Sequence, residues 1–355
     1  MHILHVVGAR PNFMKAAPLL RALGEAGGVS QTLVHTGQHY DAAMSDVFFH
    51  QLGMPVPDVN LSVGSGSHAQ QTAEVMARFE PVVLEQKPDW VVVYGDVNST
   101  AAAALVCAKL QIPVAHVEAG LRSRDRSMPE EINRLVTDQL SDLLFTPSAD
   151  ADANLLQEGI PREKIHLVGN VMIDTLVRLL PQAAMLDNLA GIGPFVLVTL
   201  HRPANVDDLP WLREMLTALL QVGRELPVIF PVHPRTRQRM ADAGCLPASD
   251  GRLRLLPPVP YLEFLAMQRA ALVVITDSGG IQEETSYLGV PCLTMRENTE
   301  RPITLTAGTN TLLGRDIPRL RSELQRVLAD PRPDSRPIPL WDGRASERIA
   351  KILAG

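Results

Sequence analysis

Two hydrophobic periods alternate along this chain, and that alternation limits its fold more than any other feature. Short, nearly unbroken apolar runs near 2–7, 31–35, 90–94, 112–117, 143–146 and 165–168 are separated by longer stretches of helical spacing, such as 69–86, 99–110 and 130–140. Apolar runs of this length without polar alternation read as strands covered on both faces, and the helical stretches read as the crossovers that a parallel sheet needs. The scheme begins again in the second half, with runs near 195–199, 227–232, 253–256, 271–276 and 291–295 and helical stretches such as 211–224 and 261–269. The pattern predicts an α/β protein of two Rossmann-like, doubly wound parallel-sheet domains facing across a cleft. Its weakest stretch is 181–194, where a helical run gives way to Gly-Ile-Gly-Pro. The first domain is therefore expected over 1–185 and the second over 186–340, with 341–355 as a last helix that could return to the first domain.

Composition narrows the function classes. The 355 residues accommodate two domains of about 150 residues each, and 46% hydrophobic with 20% charged residues suits large cores rather than disorder. Lys and Arg number 33 against 39 Asp and Glu, a net charge of -6, which is the wrong sign for a wide nucleic-acid-binding face. Cys107, Cys245 and Cys292 are far apart and set among apolar residues, as expected of reduced thiols in the cytoplasm. The opening MHILHVVGARPN lacks the basic stretch and long apolar core of a secretory signal. No run approaches the ~18 apolar residues of a membrane span.

In open parallel sheets ligands bind beyond the carboxyl ends of the strands, so the residues following each apolar run are informative. Those residues are Gly8 and Arg10; Gly95 and Asp96; Glu118; His201 and Arg202; His233 and Arg235; and Asp277, Ser278, Gly279 and Gly280. Acids, bases and small residues thus collect at one edge of both expected sheets. The segment TDSGGIQEE is the clearest device: Ser278 and two glycines before a helix offer free amides to an anion, or, equally, Asp277 or Ser278 simply caps that helix. Glu283 and Glu284 in its first turn would oppose an anion unless one of them meets hydroxyls, for which a ribose diol is the natural partner. Arg10 and Lys15 in GARPNFMK suit a diphosphate or a solvated basic loop. Asp96 and Glu118 end neighbouring runs, and Glu130 and Glu131 open a helix; clustered carboxylates raise one another's pKa and so serve as acids and bases, although a cap or a first-turn charge accounts for each one singly. His116 and Glu118 alternate on one strand without a third ligand at useful spacing, so no metal site is expected. Gly64, Gly66 and Ala69 fit a dinucleotide fingerprint, but VPDVNLS before them makes a poor strand and no acid follows at the right distance. They read as a loop before a helix, and no nicotinamide cofactor is expected.

Taken in order, GARPNFMK, TGQHYD, VYGDVNST, HVEAGLRS, PEEINR, VGNVMIDT, VTLHRP, PVHPR, TDSGGIQEE and MRENTERP resemble the non-hydrolysing UDP-N-acetylglucosamine 2-epimerases over nearly the whole chain. The resemblance implies the glycosyltransferase-B type of fold and interconversion of UDP-N-acetylglucosamine and UDP-N-acetylmannosamine without a cofactor. Carbon 2 loses its proton as UDP leaves carbon 1, and UDP returns to the bound 2-acetamidoglucal as a proton is added from the other face. It also implies roles by position. Asp96, Glu118 and Glu130 match catalytic carboxylates, and His201 matches a catalytic, phosphate-contacting histidine. Arg10, Ser278, Gly279 and Gly280 match diphosphate contacts, Lys15 a basic active-site residue, Glu284 the ribose-binding acid and Arg301 an arginine near sugar and phosphates. Phe264, with the 258–261 stretch, falls where the family cradles uracil, although Val259 stands where some members have Gln. After His201 many bacterial members continue Arg-Arg-Glu-Asn where this chain has Arg202, Pro203, Ala204 and Asn205, which leaves activation by UDP-N-acetylglucosamine open. A homodimer and a place in cell-surface polysaccharide synthesis are further implications. The competing readings are a UDP-2,3-diacetamido uronic acid epimerase, a UDP-sugar glycosyltransferase lacking need for the three carboxylates, and a nucleotide-sugar sensor without turnover.

Overall fold

The structure is a computed structural model that describes residues 1–37, 51–184, 193–246, 252–330 and 336–355. The described residues divide into two compact units, one of Met1–Thr175 with Pro339–Gly355 and the other of Leu176–Ile338. The division falls within the helix Val171–Ala183.

The first unit contains β1 (His2–Val7), β2 (Ser30–His35), β3 (Val59–Asn60), β4 (Trp90–Tyr94), β5 (Val114–Val117), β6 (Leu143–Thr146) and β7 (Ile165–Leu167). They form one sheet in the order β3-β2-β1-β4-β5-β6-β7, with every pair parallel. Its strands are Val- and Leu-rich because helices cover both faces; Val91, Val92, Val93 and Tyr94 are all fully buried. Even a histidine sits inside this layer: burial pushes His5 down to about 3, and its neutral ring lies 2.6 Å from Tyr94 Oη. Helices Arg10–Ala26, His68–Gln86, Asn98–Leu110 and Pro129–Leu140 provide crossovers. The final helix, Ala345–Ala354, belongs to this unit, and Asp174 fixes its start by accepting from the Ala345 amide at 3.0 Å and the Ser346 amide at 2.6 Å.

The second unit contains β8 (Val196–Thr199), β9 (Val228–Pro231), β10 (Leu253–Leu256), β11 (Val273–Thr276), β12 (Cys292–Thr294) and β13 (Asn310–Leu312). Their order is β10-β9-β8-β11-β12-β13, again all parallel. Its largest core cluster joins Val196, Val198, Phe230 and Ile275 on the strands to Leu212, Leu216, Leu320 and Leu324 on helices.

Each expected strand is present to within two residues at either end. The two unexpected strands, β3 and β13, are edge strands of two and three residues, too short to carry a period. The poor strand read at VPDVNLS is in fact β3, and the helix expected after the glycines begins at His68. No described helix is long and apolar enough to cross a membrane. Cys107 and Cys292 are buried free thiols that burial pushes up to about 12 and about 11, respectively.

Candidate active site

Both sheets reverse their winding direction once, at β1/β4 in the first unit and at β8/β11 in the second. A cavity opens at the carboxyl end of such a switch point because the two connections leave in opposite directions. The polar ends of β1, β4, β8 and β11 lie at these two points, and those of β5 and β9 lie one strand away.

In the first unit, Asn12 ties the switch point together. Its Oδ1 accepts from the Gly8 and Ala9 amides at 3.0 and 3.1 Å, and its Nδ2 donates to the Tyr94 carbonyl at 2.8 Å. Lys15, one turn further along the same helix, reaches Glu118 with Nζ 2.7 Å from Oε1, and both side chains are buried. Gly95 lies directly against that pair: its φ is +61°, and a Cβ there would stand 2.5 Å from Lys15 Nζ. Glu118 itself has φ +73°, a left-handed conformation costing on the order of 1 kcal/mol or more for a residue other than glycine.

Asp96 pairs with Arg134 Nη1, and that guanidinium is anchored from behind by Glu131, whose Oε2 lies 2.5 Å from Nη2 and 3.0 Å from Nε. Burial would push the Glu131 carboxyl up, but the Ser123 and Arg124 amides and Arg134 outweigh it and hold it below the ordinary carboxylate value. Beneath both turns lies a buried ionic group. His116 Nδ1 is 2.7 Å from Asp138 Oδ1 and its Nε2 is 2.8 Å from the Gly95 carbonyl, while Arg122 Nη1 is 2.7 Å from Asp138 Oδ2. His116 and Arg122 together overcome the effect of burial and hold Asp138 below the usual range.

Of the carboxylates expected to cluster, Asp96 and Glu118 each have a cation beside them. Asp96 is not a helix cap, because Val97 occupies the cap position of the following helix. Glu130 stands in the first turn of Pro129–Leu140, half-buried, where the helix dipole favours its charge. Arg10 opens its helix, but its side chain lies outside the described residues. The effector-site reading attached to 36–41 likewise lies mostly outside them. Among the described residues no group of three or more His, Cys, Asp or Glu is placed to hold a metal ion.

In the second unit, Asp277 is the hub. Its carboxylate accepts from the backbone amides of His201 and Arg202 at 3.1 and 3.0 Å and from Asn205 Nδ2 at 3.1 Å, and it lies 3.1 Å from His201 Nδ1. Burial acts against ionisation of Asp277, but His201 and these donors outweigh it and hold the carboxyl below its ordinary value. The half-exposed His201 ring is thereby turned with Nε2 away from the carboxylate. Asp277 does not cap the next helix, nor does Ser278, which occupies the cap position without a side-chain cap bond. The amides that begin Gly279–Leu288 thus keep the anion-binding character of an uncapped helix start.

Glu283 and Glu284 are buried and lie beyond the first turn of this helix, which corrects their expected place in that turn. Glu283 Oε1 is 2.7 Å from Arg301 Nε, and Arg301 also pairs with Glu300. A Cβ at Gly279 would lie 2.5 Å from Arg301 Nη1, so the Arg301 side chain would have to shift to admit one. Glu284 accepts from Gln268 Nε2 at 2.6 Å and Tyr261 Oη at 2.9 Å. Burial outweighs these neutral donors and raises its carboxyl above the ordinary value. Phe264 is partly buried with Val259 against Leu197 and Ile281. His233 is a helix cap, accepting from the Arg235 amide at 3.3 Å.

Sequence reasoning named Glu131 beside Glu130 at a helix start, as an acid of the same cluster, and passed over Arg134, Asp138 and the role of Asp277. The i,i+3 pair Glu131/Arg134 was visible as one helix face, but the reach of Arg134 to Asp96 and of His116 to Asp138 depends on how helix and sheet stack.

Residues 21–354 match the family described as UDP-N-acetylglucosamine 2-epimerase. A Methanocaldococcus jannaschii protein described as UDP-N-acetylglucosamine 2-epimerase is 41% identical over 364 residues, covering 99% of each chain. A Pseudomonas aeruginosa protein described as UDP-2,3-diacetamido-2,3-dideoxy-D-glucuronate 2-epimerase is 43% identical over 361 residues, covering 100% of this chain and 99% of that one. The crystal structure of the M. jannaschii enzyme in complex with UDP-GlcNAc and UDP aligns with a TM-score of 0.91 at 40% identity, over 100% of this chain and 99% of that chain. Two parallel α/β units, the glycosyltransferase-B type of architecture, and matches that run the length of the chain lead to one assignment: the chain belongs to the UDP-N-acetylglucosamine 2-epimerase family and is an epimerase.

Proposed function

We propose that the enzyme interconverts UDP-N-acetylglucosamine and UDP-N-acetylmannosamine by elimination and readdition of UDP. One carboxylate of the Asp96, Glu118 and Glu130 set takes the proton from sugar carbon 2 while the bond from carbon 1 to the diphosphate oxygen breaks. UDP leaves with the bonding pair, and 2-acetamidoglucal remains bound. The return step re-forms the bond to carbon 1 as a second carboxyl group of the set delivers a proton to the opposite face of carbon 2, which requires acid and base groups placed separately. Lys15 stands 2.7 Å from Glu118 in a buried pair, and Arg134 pairs with Asp96. The amides of Gly279 and Gly280, with Ser278 and Arg10, hold the departing diphosphate, and His201, oriented by Asp277, stabilises its charge. Glu284 meets the ribose hydroxyls, Phe264 packs at the uracil, and Arg301 lies near sugar and phosphates. The reading extends to a cytoplasmic homodimer that supplies UDP-N-acetylmannosamine for cell-surface polysaccharides.

The observation that carries this reading is the left-handed Glu118, held with buried Lys15 beside the Asp96 turn: strain and buried charge of this kind accumulate at reacting centres. The 43% identity of the P. aeruginosa relative favours a second substrate, a UDP-2,3-diacetamido uronic acid. Proton NMR of the protein with UDP-N-acetylglucosamine in heavy water tests the proposal. Deuterium at carbon 2 together with the manno epimer is the expected result. Turnover of the uronic acid nucleotide alone would transfer the mechanism to the second substrate, and inertness toward both would overturn it.

A further inference from the structure

The two turns that carry Asp96 and Glu118 are joined by more than sheet hydrogen bonds. The Gly95 amide donates to the Val117 carbonyl at 2.9 Å, and the Gly95 carbonyl accepts from His116 Nε2 at 2.8 Å, so the residue before Asp96 is held to β5 from both its polar groups. On the other side of Glu118, the Gly120 amide donates to Asp138 Oδ2 at 3.1 Å, while Asp138 Oδ1 faces His116 Nδ1 at 2.7 Å. Each nitrogen of the His116 ring thus has an oxygen within hydrogen-bond distance. The result is a continuous strut from the Gly95 carbonyl through His116 and Asp138 to the Gly120 amide. Glu118 has φ of +73°, a conformation that a residue other than glycine holds only where its surroundings impose it, and the flanking Gly95 and Gly120 supply +61° and +80° without that cost.

We propose that His116 and Asp138 are positioning residues for the reaction, fixing the spacing and direction of the Asp96 and Glu118 carboxylates through their backbone turns. A buried ion pair is weak evidence for stability, since apolar replacements often fold as well. What the pair supplies here is directional: each end bonds a main-chain group beside a carboxylate. Arg122, 2.7 Å from Asp138 and itself paired with Glu158 at 2.6 Å, braces the strut from outside. Neither His116 nor Asp138 has any exposure to solvent, so each acts through the turns and not on substrate. The inference rests on Asp96 and Glu118 being the catalytic carboxylates.

The test is a double-mutant cycle on the full-length enzyme with UDP-N-acetylglucosamine, with kcat normalised to the fraction able to bind UDP. His116→Gln keeps one donor and loses the other, and Asp138→Asn removes the charge at nearly constant shape. Each is expected to lower kcat about 10- to 100-fold, as small misplacements of reacting groups do, with KM changed less than about 3-fold. In an Asp96→Asn, Glu118→Gln background the same changes should cost under about 3-fold, because neither carboxylate they position is present. Equal losses in both backgrounds would show a general structural role and overturn the proposal, as would single variants that keep more than about half the parental kcat. If His116→Gln does not fold, Asp138→Asn completes the cycle alone. Parental rates in Asp96→Asn and Glu118→Gln themselves would instead refute the catalytic assignment on which the strut depends.

Discussion

The two units solve the same problem, a carboxylate buried at the end of a parallel strand or the start of the next helix, with different chemistry. In the first unit Glu118 faces Lys15, Glu131 faces Arg134, and Asp138 faces Arg122 beside His116. In the second unit Glu284 faces the neutral donors Tyr261 and Gln268, and Asp277 gathers backbone amides and Asn205 in addition to His201. The carboxyl ionisations follow the partner and not the unit: Glu131 and Asp138 are held low, and so is Asp277 beside His201, while Glu284 with its neutral donors is pushed up, and so is Asp174, held by the Ala345 and Ser346 amides. Cation pairing keeps a charge available inside the protein, as proton transfer requires. Neutral pairing holds an acceptor in place with less surrounding charge, as recognition of hydroxyls requires. The difference teaches that Glu284 stands apart by its partners even within its own helix, since the neighbouring Glu283 has a cation in Arg301.

The sharpest way to break this contrast is Arg134→Met. It removes the cation from Asp96 and leaves Glu131 buried with only its hydrogen bonds from Ser123 and Arg124. Removing one partner of a buried pair costs about 3–5 kcal/mol. The loss should appear in the opening free energy of the slowest-exchanging amides of β4 and β5 by hydrogen exchange. A loss under ~1 kcal/mol would mean that Arg134 is no more than one donor among several, and the contrast would lose its first unit.

Tyr261→Phe is the matching change in the second unit. It deletes one neutral donor while Gln268 Nε2 stays 2.6 Å from Glu284. The expected loss is about 1 kcal/mol, the ordinary value for a neutral hydrogen bond, read from amides of 261–270 and 279–288. A loss as large as that of Arg134→Met would show that Glu284 depends on Tyr261 as strongly as an ion depends on its counter-ion, and the distinction would collapse from the other side.

Part of this contrast was legible in the sequence and part was not, for physical reasons. Strand positions could be read because a strand buried on both faces leaves an apolar run that nothing else mimics, as in Trp90–Tyr94. The residues at the strand ends could be read because a doubly wound sheet exposes only those ends to ligands. The pairing of Asp96 with Arg134, by contrast, joins a strand end to the second turn of a helix 38 positions later, and it depends on how that helix lies on the sheet. The same is true of Asp138, which looks like an ordinary polar residue near a helix end and is buried only because Arg122 and His116 converge on it. Glu284 was legible as an acid after the glycines; its burial, and the Tyr261 and Gln268 that meet it, belong to packing alone.

The smallest expected effect is a difference in pH dependence, and it separates the two kinds of pairing without removing a donor. Glu284 has a folded-state value above the 4.5 of the unfolded chain, so the stability it contributes is fully present below about 4.5 and is lost as pH rises through the raised folded value. Asp138 has a folded-state value below 3.8, so its contribution is present above about 3.8 and is lost only as pH falls through the lowered folded value. Relative to the parent, Glu284→Gln should therefore protect amides of 279–288 more at pH 7 than at pH 5, since only the parent carries the cost of ionising that group. Asp138→Asn should weaken 114–117 relative to the parent equally at both pH values, because both lie above its titration. Hydrogen exchange of each variant against the parent, corrected for intrinsic rates, measures the two slopes. A Glu284→Gln difference that stays level from pH 5 to pH 7 would show that its carboxyl does not titrate in that window and would place it with the charged acids of the first unit. A sloping Asp138→Asn difference would show that His116 and Arg122 do not hold that carboxylate ionised, and the cationic pairing of the first unit would then fail at its most buried member.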